Sequence, residues 1–337
     1  MARPQTRALV DWRVTSEASA TLRGLYPSVR THETGHLQVS ALHTLYYECS
    51  GNRSGRPLLF LHGGPGGGTH SIYRRYFDRD AYRIVMFDQR GCGRSSPRGC
   101  IEENTTWHMV EDIEALREEL GVERWVLAGG SWGSALALAY AQAHPGRVDG
   151  MVLWGIFMLR PSEIDWFYQG GASTILPEAF ERFSEPIPPA ERGDLVSAFH
   201  RRLCDDGDLD TAVHAAQAWS GWEASASTLR LDNERVERFE SPDFAVPFSR
   251  VECHYVCNNG FFRYPNQLLD DVERIRSTRA VIVQGRYDMV CPMVTAWELH
   301  RRWPEAEFEV VPDAGHSASE PAMIDALVRA ADHFRDL

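Results

Sequence analysis

The run Gly129-Gly130-Ser131-Trp132-Gly133 sets one hydroxyl between glycines in the pattern G-x-S-x-G. An apolar stretch, Trp125 to Ala128, precedes it, and a helix-prone stretch, Trp132 to Ala143, follows it. A serine at such a strand-to-helix turn is lifted clear of its sheet, at the positive end of the helix dipole. The turn is tight, so a side chain at Gly129 or Gly133 would strike the neighbouring strand or helix. A serine hydroxyl is a poor nucleophile until a base removes its proton. An acid and then a histidine are expected later in such a chain. Asp288, in Gly285-Arg286-Tyr287-Asp288, and His316, in Gly315-His316-Ser317, each follow a short apolar run. Asp288 is read as the residue that orients the base, and His316 as the base that passes the proton to a leaving amine. Asp313 competes for the acid role, but it shares a loop with His316.

Acyl transfer also needs N–H donors aimed at the oxyanion. The loop His62-Gly63-Gly64-Pro65-Gly66-Gly67-Gly68 follows another apolar run. Gly64 and Trp132 are the expected donors. Glycine loops also cradle phosphates, but no Gly-Lys-Ser/Thr follows this one, and the chain contains no lysine. That absence excludes Schiff-base chemistry and a P-loop. A second glycine segment, Asp88 to Ser95, is read as a structural turn beside the site.

These residues require elements that present them at one edge. Strands are expected at Leu37 to Tyr47, Leu58 to Leu61, Arg83 to Phe87, Trp125 to Ala128, Val148 to Trp154, Ala280 to Val283 and Glu307 to Val311. Helices are expected at Trp107 to Leu120, capped by Thr106 and Gly121, at Trp132 to Ala143, and at Pro321 to Phe334. Short apolar strands alternating with helices predict a mostly parallel sheet covered on both faces. The expected arrangement is the α/β-hydrolase fold, with core segments over 1–156 and 271–337 and a mainly helical, aromatic-rich cap inserted over 157–270.

The net charge of −12 disfavours nucleic acid and mildly favours a cationic ligand. Seven irregularly spaced cysteines suit reduced thiols in a cytoplasmic compartment. Cys253, His254 and Cys257 lie close together, but no second ligand pair accompanies them, so no metal is expected. The start, Met1-Ala2-Arg3-Pro4, lacks the apolar core of a signal peptide, and no run is long enough to span a membrane.

Several segments together resemble the proline iminopeptidases (prolyl aminopeptidases) of the α/β-hydrolase superfamily. They are His62 to Gly68, Asp88 to Ser95, Gly129 to Leu136, Gly285 to Pro292 and Gly315-His316-Ser317. Within the helical insertion they are Gly155-Ile156-Phe157, Asp165 to Ser173, Ala218 to Glu223, Glu252 to Tyr255 and Gly260 to Phe262. The resemblance runs from about residue 35 onward. It implies a serine aminopeptidase that needs no cofactor and acts on a peptide or aminoacyl substrate with a free N-terminus. It also implies that Glu223 and Glu252 hold the α-amine and that Phe157 is one of the aromatics lining the proline pocket; Tyr255, in the aromatic surroundings of the two glutamates, is also read as substrate-binding. Where the family has Glu-Asn-His-Tyr-Phe, this chain has Glu252-Cys253-His254-Tyr255-Val256, which predicts a looser grip on proline. Two other readings use the same residues: an amidase or esterase for amine-bearing metabolites, and a non-catalytic ligand-binding fold.

Overall fold

A computed structural model describes residues 13–14, 22–205 and 207–336. Residues 1–12, on which the leader reading rests, lie outside the described residues. The strands are β1 (Arg13–Val14), β2 (Thr31–Gln38), β3 (Thr44–Gly51), β4 (Arg56–Leu61), β5 (Tyr82–Phe87), β6 (Trp125–Ser131), β7 (Val148–Ile156), β8 (Arg279–Gly285) and β9 (Glu307–Val311). They form one sheet in the order β1-β9-β8-β7-β6-β4-β5-β3-β2. Strands β4 to β9 pair in parallel, while β2 and β3 join antiparallel at one edge.

The interior strands are apolar on both faces because both faces are covered. Leu59, Leu61, Leu127 and Leu153 pack against helices α1 (Thr106–Glu119) and α2 (Trp132–Ala143). Their alternating neighbours Leu58, Phe60, Val126 and Val152 pack on the opposite face, against the C-terminal helix Pro321–Asp332. The period of two thus sorts one strand's residues into two cores.

Several boundaries differ from expectation: the last helix ends at Asp332, β7 runs on to Ile156, and α1 is C-capped by Leu120 rather than Gly121. The single strand expected over 37–47 is two strands, because Ser40 Oγ accepts the N–H groups of Leu42 and His43 and turns the chain. The cap of α1 is Thr105, which accepts from His108 N, while the Thr106 hydroxyl donates to Gly260 O at 2.5 Å.

Between β7 and β8 the described residues form seven α-helices: α3 (Pro161–Asp165), α4 (Pro177–Ser184), α5 (Leu195–His200), α6 (Leu209–Ala226), α7 (Asn233–Phe239), α8 (Pro242–Cys257) and α9 (Gln267–Asp270). Their shared core is largely aromatic. Tyr168 stacks on Trp219 at 4.4 Å, and Phe183 stacks on Phe199 at 4.7 Å and on Trp222 at 5.7 Å. Rigid rings of this size fix the roll of α6, and with it the direction of Glu223. Helices α10 (Met293–Arg302) and α11 (Pro321–Asp332) complete the sequence. No helix among the described residues is long and apolar enough to cross a membrane.

Candidate active site

Ser131 ends β6 and precedes α2 with φ 56° and ψ −129°, a strained conformation for a residue with a Cβ. The turn closes so tightly that a Cβ at Gly129 would sit 2.4 Å from the Gly133 carbonyl oxygen. A Cβ at Gly133 would sit 2.2 Å from that of Leu61. Neither backbone atom can give way, so both positions exclude any larger residue. The Cys291 thiol lies beside the Ser131 hydroxyl.

His316 follows β9, and its Nδ1 lies 2.9 Å from Asp288 Oδ2. Asp288 is fixed in turn. Its Oδ1 accepts the N–H groups of Val290 at 3.0 Å and Cys291 at 2.7 Å, and its Oδ2 accepts from Gln284 Nε2 at 3.1 Å. With Nδ1–H committed to Asp288, Nε2 is the free basic nitrogen. Burial pulls the His316 pKa down, but the charge and hydrogen bond of Asp288, aided by Glu223, raise it above the ordinary 6.5. The structure contains no hydrogen bond between Ser131 and His316; in free enzymes such contacts tighten when substrate arrives. Gly155, with φ +51°, gives the imidazole its room: a Cβ there would sit 2.9 Å from His316 Cε1.

The glycine loop after β4 lies against the nucleophile. A Cβ at Gly63 would meet Ser131 Cβ at 3.4 Å. Trp132 N is the first N–H of α2 and has no partner within the helix. The Trp132 indole is fully buried and donates to Gln89 Oε1 at 2.8 Å.

The helices between β7 and β8 bring two carboxylates to this edge. Glu223 on α6 is 8 % exposed and Glu252 on α8 is 2 % exposed. Trp219 donates its indole N–H to Glu252 Oε2 at 2.6 Å, whereas Glu223 Oε2 is buried with no hydrogen-bond partner. Burial raises both pKa values above the ordinary 4.5; the charge of Glu223 pushes Glu252 further up, while His316 and Arg235 draw Glu223 partly back.

Phe157 follows β7, is half-buried and touches both the sheet core and the helical core. Tyr255, read as substrate-binding, lies in the core beside Trp132. It has no accessible surface, its hydroxyl donates to Asn104 Oδ1 at 3.0 Å, and its ring meets the Trp132 ring edge-on at 4.8 Å. It supports Trp132 from below. Cys253 and Val256 are also buried, with the Cys253 thiol directed at Val196 O.

Three residues here escaped the sequence reading. Gln284 steadies Asp288 from within β8. Gln89 bonds Trp132 from a segment read only as a turn. Arg235 on α7 stacks over Phe239 at 4.7 Å, close enough to Glu223 and His316 for its charge to act on both. Gln89 stood inside a quoted motif, but no spacing rule marked the other two.

A buried histidine–carboxylate pair, a serine on a strained turn and a glycine loop beside it define a serine hydrolase of the α/β-hydrolase class. A family model described as the alpha/beta hydrolase fold matches residues 56–322. Among curated relatives, a probable proline iminopeptidase of Leptolyngbya boryana is 54 % identical over 313 residues, covering 93 % of this chain and 97 % of its own. The proline iminopeptidase of Arabidopsis thaliana is 52 % identical over 323 residues, covering 96 % of this chain and 85 % of its own. The chain belongs to the proline iminopeptidase family. Among solved structures, an esterase from Exiguobacterium antarcticum matches with a TM-score of 0.65 at 19 % identity, over 90 % of this chain and 100 % of its own, a likeness of fold alone.

Proposed function

We propose that this chain removes an N-terminal proline from peptides through an acyl-enzyme. Ser131 Oγ attacks the carbonyl carbon of the first residue while His316 Nε2 takes the hydroxyl proton. Asp288 holds the ring and stabilises the imidazolium. The N–H groups of Gly64 and Trp132 receive the oxyanion. The tetrahedral species then collapses, the C–N bond breaks, and His316 gives its proton to the departing amine. Water, deprotonated by His316, attacks the ester, and Ser131 is released with free proline.

Residues 157–270 act as the cap that selects the substrate. The observation that carries the reading is the buried, unpartnered Oε2 of Glu223, close enough to His316 to influence its charge. A buried carboxylate is costly without a cation, and a second carboxylate beside it increases the cost. A protonated N-terminal amine satisfies both and leaves the first carbonyl beside Ser131, which explains release of a single residue. Reduced thiols fit the seven free cysteines and a cytoplasmic setting.

Release rates from prolyl, alanyl and leucyl naphthylamides, each free and N-acetylated, test this. The reading expects a preference for proline and loss of turnover on acetylation. Equal rates on free and blocked substrates would remove the amine site and leave a general amidase or esterase. A Ser131 that ignores a fluorophosphonate would remove catalysis itself.

A further inference from the structure

Gln89 is the point where the two halves of the oxyanion site meet. It follows β5 in the segment Asp88 to Ser95, and it has no accessible surface. Its Nε2 donates to the His62 carbonyl at 2.9 Å, and its Oε1 accepts the Trp132 indole N–H at 2.8 Å. Its backbone N–H donates to His62 Nε2 at 3.0 Å. That donor makes Nε2 an acceptor, so His62 carries its proton on Nδ1, which lies 3.0 Å from Gly63 O and donates to it. Burial lowers the His62 pKa and keeps the ring neutral, consistent with this tautomer. His62 and Gly63 lead directly into Gly64, and Trp132 directly follows the nucleophile.

We propose that Gln89 is a positioning residue for catalysis: its carboxamide ties the Gly64 loop to Trp132 and so fixes the separation of the two oxyanion donors. This rests on the reading of Ser131 as nucleophile with Gly64 and Trp132 as donors. Only a neutral carboxamide suits the place, because one partner is an acceptor and the other a donor. A methionine fills a similar volume and makes neither bond. Among the described residues no other side chain links the loop to the start of α2 by hydrogen bonds at both ends, and shifts of about 1 Å in such donors cost on the order of a hundredfold in rate.

The test uses the full chain with Gln89→Met, Trp132→Phe and the double variant. Readouts are kcat and KM on prolyl-naphthylamide, the rate at which a fluorophosphonate modifies Ser131, and the melting temperature. Phosphonylation passes through the same oxyanion site, so it reports on donor placement whatever the natural substrate is. Gln89→Met is expected to lower kcat and the phosphonylation rate together by at least about tenfold, with KM within about twofold. Trp132→Phe should lower both in the same sense. The double variant should fall little below Gln89→Met, because both break one tie. A smaller fall in those rates for the folded protein, with or without a lower melting temperature, overturns the proposal, as does a change confined to KM. If Gln89→Met does not fold, Trp132→Phe alone decides by the same criteria. Failure of the unaltered protein to react with the fluorophosphonate would instead refute the reading of Ser131, and the proposal with it.

Discussion

The backbone carbonyl of Ser227, just past the last turn of α6, accepts the N–H of His316 at 3.1 Å and that of Ser317 at 2.8 Å. The helix that carries Glu223 therefore also holds the loop that carries the base. Glu320 strengthens the junction, its two oxygens accepting from Leu229 N at 2.8 Å and Gly315 N at 2.6 Å. The carboxylate proposed to recognise substrate and the histidine proposed to transfer the proton thus share one connection.

Glu320→Ala removes both acceptors and leaves two N–H groups competing for water. The His316 loop then loses part of its tether to α6, although no reacting atom is touched. A fall in kcat on the order of tenfold is expected, with a smaller change in KM. Steady-state kinetics on prolyl-naphthylamide check this, and an unchanged kcat would show that the Ser227 carbonyl holds the loop unaided.

Gly155 offers a sharper test of the geometry. An alanine there faces two obstacles: a backbone at φ +51° that L-residues rarely adopt, and a Cβ 2.9 Å from His316 Cε1. The ring must move away from Asp288 to admit it. Gly155→Ala is expected to cost on the order of a hundredfold in kcat/KM while the protein stays folded. Wild-type-like turnover would mean that the imidazole has room to spare.

The pair of buried carboxylates gives a pH signature. Glu223 and Glu252 bind protons more tightly in the fold than in the unfolded chain, where the value is near 4.5. Their contribution to stability is complete below that value and is lost as pH rises through their raised folded values. Glu252→Gln removes a group that must otherwise be ionised while buried. Its melting temperature relative to wild type should therefore rise between pH 5 and pH 8, and a pH-independent difference would contradict the placement. The same variant should lose discrimination between free and N-acetylated substrates, since the glutamine carries no charge for the amine.

Glu223 also acts on the base. Its charge helps hold the His316 pKa above the ordinary 6.5, and an imidazole can serve as the proposed base only when neutral. The acid limb of the kcat/KM profile should therefore lie above pH 6.5 and move down in Glu223→Gln. An unmoved limb would separate Glu223 from the catalytic histidine.

What the sequence revealed follows from the range of each interaction. The positions of Ser131, Asp288 and His316 were legible because each sits on a turn of fixed grammar after an apolar strand, and chain order alone assigns their proposed roles. Glu223 and Glu252 needed a family resemblance, since nothing in helical spacing says that α6 and α8 face each other. Tyr255 shows the limit. It lies three residues after Glu252 on the same helix, yet that small rotation sends it under Trp132 while Glu252 meets Trp219. The roll of a helix is decided by tertiary packing, here by the aromatic stack around Trp219. Arg235 was silent because it acts across elements far apart in the chain, and Gln284, only four residues before Asp288, was silent because no spacing rule marks a glutamine inside a strand as the partner of the acid that follows it.

The segment after β5 invites a last prediction, on stability. Arg90 and Asp112 form a buried two-pronged pair, Nε to Oδ2 and Nη2 to Oδ1, each at 2.7 Å, with 3 % and 2 % of their side chains exposed. Arg90 Nη1 also donates to Glu103 O at 2.5 Å, and Arg90 O accepts from Asn104 Nδ2, the residue that receives the Tyr255 hydroxyl. Asp112→Asn keeps the shape but leaves the guanidinium buried without a counter-charge. Removing one partner of such a pair costs about 3–5 kcal/mol, far more than the pair itself contributes over an apolar replacement. Chemical denaturation should show that loss for Asp112→Asn, and replacing both partners, as in Arg90→Met with Asp112→Leu, should recover much of it. If the double replacement were as unstable as the single one, the bonds from Arg90 to Glu103 and Asn104, not the ion pair, would be what holds the segment beneath Trp132.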